Sequence, residues 1–410
     1  MTGPGTSRTG GVGVHQAGVR QAGVHGAEVR QAGVHQFVPM LHVGDAVGRH
    51  TLAIRDRLRS RGVPSEIYVE LDDPETADQT RPASTYPESA RPDDVLVYQF
   101  ATASALVDRL MARPERLVVN YHNVTPPPLF SPWDTGLVLH QLRARGELAR
   151  LAGRAALGVA VSEVNRADLV QAGFAATEVV PPVVDLPGAG DSVGGQAGGR
   201  TGGQAGSRAG SQAGDQPAGR QEARRHGAQW LAVGRLAPNK AVEDVIAALL
   251  AYRAKYDPAA ELLVVGKPAV PSYVAAVHRY VADLGLTGAV RFTGRVDDDE
   301  LAAAYRSADV LVVSSEHEGF CLPVVEAMAR GLPVVAYREG ALPEVLGNAG
   351  VLLGSKGPVV MADAIRRLQV DDGWRATLVA AGLARVPALG LDSAGDRLVD
   401  LLLGVRDREG

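Results

Sequence analysis

Short apolar runs alternate with amphipathic or turn-rich stretches along most of the chain. From Phe37 the run FVPMLHV predicts a first strand, followed by the glycine loop GDAVG at 44–48 and an Arg-rich helix to about residue 61. Runs at 67–70, 95–100, 117–121 and 159–161 predict further strands, with helical or turn-rich segments between them. A second series starts at Trp230 and continues at 262–266, 290–292 and 309–313. Runs without polar alternation are buried on both faces, so the order implies an α/β protein with doubly wound parallel sheets.

Two stretches break this pattern. In residues 1–35 Val14, Val19, Val24, Val29 and Val34 recur every five positions among Gln, Ala and Gly. A period of five gives neither a helical face nor a strand face, which predicts a disordered low-complexity tail. His15, His25 and His35 share the repeat, either as part of its composition or as weak metal ligands. Between 188 and 229 glycine is dense and Val193 is the only large aliphatic residue, too little to offset the entropy of ordering. The expected organisation is a tail at 1–35, a first domain at 36–187, a linker at 188–228, a second domain at 229–388 and a C-terminal helix at 389–410 that crosses back to the first domain.

Composition narrows the class. With 410 residues, 46% of them hydrophobic, the chain can bury two cores. A net charge of −4 argues against a general nucleic-acid binder. The single cysteine excludes an internal disulfide, which makes a reducing cytoplasm the expected compartment. No apolar run reaches bilayer length, and the N-terminus lacks the apolar core of a signal peptide.

The chemistry is clearest in SSEHEGFCLPVVEAMA, residues 314–329. The pattern predicts a strand ending in a polar loop, then a helix over 320–330 with Pro323 in its first turn, where a missing N–H costs least. The helix N-terminus then faces Glu318 and Gly319, and Glu326 lies eight positions beyond Glu318. Eight helical steps span roughly 12 Å, about the distance from a sugar ring across a diphosphate to a ribose. Two surface acids on a solvated helix are the plain alternative. At 230–240 a strand, Gly234, Arg235 and Lys240 place two cations beside another helix start, which suits a diphosphate. His122 ends the fourth strand before three prolines, as a sugar ligand, a proton-handling group or a loop histidine. The first glycine loop is no GxGxxG fingerprint, which lowers the prospect of an oxidoreductase.

EGFCLPVVEAM and VGRLAPNKAVEDVIAAL together resemble the retaining family 4 glycosyltransferases of the GT-B fold, in which two Rossmann-like doubly wound parallel-sheet domains face a cleft. The resemblance spans roughly 37–186 and 229–400 and is strongest in the second domain. It implies that Glu318 contacts the donor sugar, Glu326 the nucleotide ribose, and Arg235 and Lys240 the leaving diphosphate. By the same resemblance His122 reaches the sugar, Arg295 lies near the base, and Gly319, Phe320, Cys321 and Leu322 line the helix start. Gly44 and Asp45, in the first glycine loop, fall beside the donor phosphates. Many relatives carry Gly at the position of Cys321, so this chain is tighter there. The implied reaction moves a hexose from a nucleoside diphosphate, GDP- or UDP-linked, to a hydroxyl of a glycan, a lipid-linked or a small-molecule acceptor, with retention and without a metal or bound cofactor. A sugar-nucleotide epimerase or phosphorylase of the same fold, and a silent sugar-nucleotide-binding protein, stay open. Arg49, Arg55, Arg57, Arg59 and Arg61 form either a solvated helix face or a contact with anionic lipid at the inner face of a membrane.

Overall fold

The computed structural model describes Met1 and residues 31–42, 44–89, 91–184 and 227–407. Most of the tail and linker expected from composition, 2–30 and 185–226, lies outside the described residues. The first domain comprises β1 (Val34–Val38), α1 (Ala46–Ser60), β2 (Ile67–Val69), β3 (Arg81–Pro82), β4 (Val95–Phe100), α2 (Leu106–Met111), β5 (Arg116–Tyr121), α3 (Thr135–Ala152), β6 (Leu157–Ala160), α4 (Glu163–Ala172) and β7 (Thr177–Val179). The second comprises β8 (Gln229–Val233), α5 (Val242–Lys255), β9 (Glu261–Val265), α6 (Pro271–Asp283), β10 (Val290–Gly294), α7 (Asp298–Ser307), β11 (Val310–Val313), α8 (Leu322–Ala329), β12 (Val334–Tyr337), α9 (Leu342–Leu346), β13 (Val351–Leu353), α10 (Pro358–Val370) and α11 (Asp372–Ala388). A last helix, α12 (Leu391–Arg406), follows.

Both sheets are parallel and share one winding. Their strand orders are β3-β2-β1-β4-β5-β6-β7 and β10-β9-β8-β11-β12-β13. In each, the chain reverses its direction of travel beside the first strand, between β1 and β4 and between β8 and β11. Crevices for ligands open at the carboxyl ends of strands at such switch points. The central strands are buried on both faces, as their unbroken Val and Leu runs require.

Four expectations need correction. Order begins before 36: β1 starts at Val34, which is fully buried among Val95, Val97 and Val118, so the last valine of the five-residue repeat is a core residue. His35 is 3% exposed and lies 3.6 Å from Asp94, so it is no surface metal ligand. The first strand stops at Val38 rather than running on to the glycine loop, because the Pro39 carbonyl turns to accept from Glu70 and Leu71. The helix expected from 320 begins at Leu322, with Cys321 in the left-handed region at φ 74°.

The terminal helix α12 belongs to the first domain's core. Its Ala394, Leu398, Val399, Leu402 and Val405 pack with Val34, Ile54 and Leu58. Each large aliphatic group buried in this way contributes about 1.5–3 kcal/mol. Arg61 pairs with Asp396 at 2.9 Å and with Asp400 on the same helix. The arginines of α1 are also engaged: Arg55 with Asp56 at 2.8 Å, Arg59 with Glu66 at 3.2 Å, Arg49 with Glu326 at 3.6 Å, while Arg57 lies against Gly395. The helix face considered for lipid is thus internally paired. No helix among the described residues is long and apolar enough to cross a membrane.

Candidate active site

The loop after β11 is stitched to the loop after β8, and this brings the two cationic and acidic motifs together. Ser314 Oγ donates to the carbonyls of Lys240 at 2.9 Å and Ala241 at 2.7 Å. Glu316 N–H donates to the Asn239 carbonyl at 2.9 Å. Behind this loop Gly340, at φ 55°, lets Glu318 approach so closely that a Cβ there would fall 2.6 Å from the Glu318 carbonyl oxygen. Ala341 N–H caps that carbonyl at 3.0 Å. Glu318 is therefore held in the loop four residues before α8, and only Glu326 is on the helix, so a single helical ruler does not measure their separation.

Each acid has its own partners. Lys240 Nζ lies 2.6 Å from Glu318 Oε1, and Ser315 Oγ donates to the same oxygen at 2.7 Å. Burial disfavours the Lys240 ammonium, but the charge of Glu318 and its hydrogen bond outweigh burial and leave the lysine pKa raised. Arg235, exposed at the end of β8, shares a cavity with Gly234, Lys240, Ser314 and Ser315 at the switch point. Glu326, 4% exposed, accepts from Tyr305 Oη at 2.8 Å and faces Arg49 of the first domain. Burial and then the Glu326 charge push the Tyr305 phenol well up, so it stays a donor. Phe320, Cys321 and Leu322 are buried in the second domain's core, which leaves their backbone, not their side chains, for a ligand. Burial also pushes the Cys321 thiol well above its ordinary range, so it is a thiol and not a nucleophilic thiolate.

From the first domain His122 arrives at the end of β5. It is half-buried, and its Nε2 lies 2.7 Å from Gln99 Oε1. Burial depresses its pKa to about 4, so it is a neutral hydrogen-bonding group near pH 7. The adjacent Asn123, at φ 94°, places its Oδ1 2.8 Å from His317 Nε2 across the cleft. A Cβ at Gly319 would lie 2.8 Å from Asn123 Cβ, so the glycine is needed for this approach. His122 and Glu318 are thus each one residue away from the same cross-cleft hydrogen bond. The seam is fastened again where the Glu344 carboxylate accepts from Glu163 N–H at 3.0 and 3.1 Å, at the N-terminus of α4.

Three positions expected near the donor make the following contacts. Asp45 caps α1, accepting from Gly48 N–H at 2.7 Å, and Gly48 is already in the first helical turn rather than in a loop. Gly44 lies under the Arg295 guanidinium, where a Cβ would meet Nη2 at 2.5 Å. Arg295 itself reaches out to Glu75 at 3.5 Å, at the exposed rim and across to the first domain. Sequence reasoning did not find Asn123, His317, Tyr305 or Arg49. Asn123 and His317 neighbour residues it did find; Tyr305 and Arg49 carry no local signal, since only the fold brings them to Glu326.

Known proteins resemble this chain in sequence over the second domain and in fold over most of its length. Residues 227–371 match the family model described as "Glycosyl transferases group 1". A D-inositol 3-phosphate glycosyltransferase of Corynebacterium efficiens is 38% identical over 148 residues, 35% of this chain and 35% of that protein. An MMP alpha-(1->4)-mannosyltransferase of Mycolicibacterium hassiacum is 40% identical over 113 residues, 28% of this chain and 26% of that protein. The matches thus span about a quarter to a third of the length of these curated relatives. Among solved structures, Anabaena HepE in complex with UDP and glucose superposes with a TM-score of 0.67 at 18% identity, covering 90% of this chain and 99% of that one. The chain has the GT-B fold, and residues 227–371, in its second domain, are similar to the group 1 glycosyl transferases.

Proposed function

We propose that this protein is a retaining glycosyltransferase that moves a hexose from a UDP- or GDP-linked donor to the hydroxyl of a glycan, lipid-linked or small-molecule acceptor. The observation that carries this reading is the meeting of Arg235, Lys240, Ser315 and Glu318 at the β8/β11 switch point, beside the approach to α8. Two cations there neutralise a departing diphosphate, and the backbone N–H groups at the start of α8 supply the positive end of a helix. Glu318, already oriented by Lys240 and Ser315, accepts hydrogen bonds from sugar hydroxyls. Glu326, held by Tyr305, accepts from the ribose. Neutral His122 orients the sugar from the opposite wall. The carboxylate assigned to the sugar, Glu318, is tied to a cation and a hydroxyl, which favours a same-face ion-pair reaction over a covalent glycosyl-enzyme. The relatives' names, an inositol-phosphate glycosyltransferase and a mannosyltransferase, support small phosphorylated or glycosidic acceptors.

The test is a panel of UDP- and GDP-hexoses, read by thermal shift and then by release of the nucleoside diphosphate with candidate acceptors. Binding of one donor series, nucleotide release that depends on Lys240 and Glu318, and an unchanged anomeric configuration in the product are expected. Stabilisation by none of the donors would refute the reading. An inverted product would refute its mechanism.

A further inference from the structure

Beneath His122 a line of buried amides crosses three strands. Gln36 on β1 and Gln99 on β4 are both fully buried, as is Thr51 on α1. Gln36 Nε2 donates to the Thr51 carbonyl at 2.9 Å, Gln99 Nε2 donates to Gln36 Oε1 at 2.7 Å, and Gln99 Oε1 faces His122 Nε2 at 2.7 Å. The direction of this chain follows from its anchor. A backbone carbonyl only accepts, so Gln36 must turn its NH2 to Thr51 and its oxygen to Gln99. Gln99 must then present NH2 to Gln36 and oxygen to His122. The Asn120 amide nitrogen lies 3.0 Å from the same Gln99 oxygen and also faces His50 Nε2, which carries that ring's proton because Val183 N–H donates to Nδ1, so Asn120 does not decide the orientation. Turning either glutamine alone would set two oxygens face to face at a buried site, and an unprotonated Nε2 would set its lone pair against the Gln99 oxygen.

We propose that Gln36 and Gln99 are positioning residues that hold the single proton of His122 on Nε2, so that His122 meets the donor sugar through Nδ1 as a hydrogen-bond acceptor. The proposal rests on the reading of His122 as a sugar-facing group. Nδ1 has no hydrogen-bond partner among the described residues, and the half-buried ring stands at the mouth of β5. Its ring neighbour His50, edge-on at 4.9 Å, is held neutral by burial and by His122, so no cation there reverses the polarity. A site built this way takes a sugar hydroxyl that donates.

The experiment is a long-range proton–nitrogen correlation spectrum of the full-length, 15N-labelled chain near pH 7, with His122 assigned by the loss of its signals in His122→Gln. The expected result is one tautomer protonated at Nε2. In Gln36→Leu, a residue that does not touch His122, Gln99 is freed to turn, and the His122 signals should shift towards the Nδ1-protonated form or an exchange average. Protonation of wild-type His122 at Nδ1 would overturn the proposal, as would an unchanged tautomer in folded Gln36→Leu. If that variant does not fold, the wild-type tautomer alone decides. Neither spectrum depends on turnover, whereas failure of the sugar-transfer reading would show as an absence of UDP- and GDP-sugar binding.

Discussion

Replacing Lys240 by Met tests both stability and catalysis, because the lysine is the principal partner of a carboxylate that has little access to water. The substitution leaves Glu318, 7% exposed, with the Ser315 hydroxyl and no counter-charge. Breaking a buried ion pair on one side costs about 3–5 kcal/mol, but the Lys240 side chain is 24% exposed and solvent screens the pair, so about 2–3 kcal/mol is the expected loss. For a domain of this size each kcal/mol moves the midpoint by about 2–4 °C, which gives a fall of about 5–10 °C. Glu318→Gln keeps an acceptor for Ser315 and leaves a lysine that reaches solvent, so it should cost about 1 kcal/mol. The double variant should recover about 1–2 kcal/mol of the summed losses, since the stranded charge disappears. Thermal melts of the four proteins measure this cycle. In donor-turnover assays Lys240→Met should fall by about 10²–10³, the usual cost of removing a group that stabilises developing charge. Additive melts with turnover retained in Lys240→Met would refute both the pairing and its role.

Other perturbations follow from the same contacts. Tyr305→Phe removes a hydroxyl that donates to buried Glu326 and should cost about 2 kcal/mol, weakening donor affinity in titration while turnover at saturating donor stays near normal. Folded His122 titrates at about 4 against about 6.5 unfolded, so the native state binds fewer protons in that window; stability is full above about pH 6.5 and falls by about 3 kcal/mol on descent to pH 4. His122→Gln should flatten that slope in melts at pH 4–7, and an unchanged slope would remove His122 as its cause. Cys321→Gly relieves a left-handed conformation and loses a small buried side chain, two effects that offset to within about 1 kcal/mol, whereas Cys321→Val should destabilise by about 2 kcal/mol or more. Near-equal melts for the two variants would show that the backbone at 321 relaxes.

Periodicity revealed the elements that are buried on both faces, because Val95–Phe100 and Val310–Val313 have no polar partner face to confuse the pattern. It failed where composition hid a strand, as at Val34 and His35, and where a boundary depends on one unusual backbone angle, as at Cys321. The switch-point chemistry was legible for a physical reason: Gly234, Arg235 and Lys240 follow one strand and Ser314 to Glu318 follow its neighbour, so two local patterns become one site by strand order alone. Glu326 was legible as an acid on a helix, but its partners Tyr305 and Arg49 are 21 and 277 positions away in sequence. No local pattern encodes such distances. The Gln36–Gln99 line was likewise invisible, since a glutamine in an apolar strand reads as a break in the pattern until its neighbours are known.

The seam between the domains divides by chemistry, and this bears on how a donor reaches the site. At one end Phe130 and Trp133 of the first domain enter the apolar core of the second, with Trp133 edge-on to Tyr273 at 5.1 Å. Around the site Val161 also packs into the second domain's core, and beside it three cross-seam contacts are polar: Asn123 with His317, Arg49 with Glu326, and Glu344 with the start of α4. Separating the apolar end exposes aromatic surface to water at the full cost of its burial. Each polar contact can exchange its partner for water or for a ligand group at a small net cost. The same three contacts that fasten the cleft are therefore its most replaceable ones. One of them holds Glu326 and another lies one residue from Glu318, so under the proposed function an arriving nucleotide sugar would displace contacts whose chemistry it can itself supply.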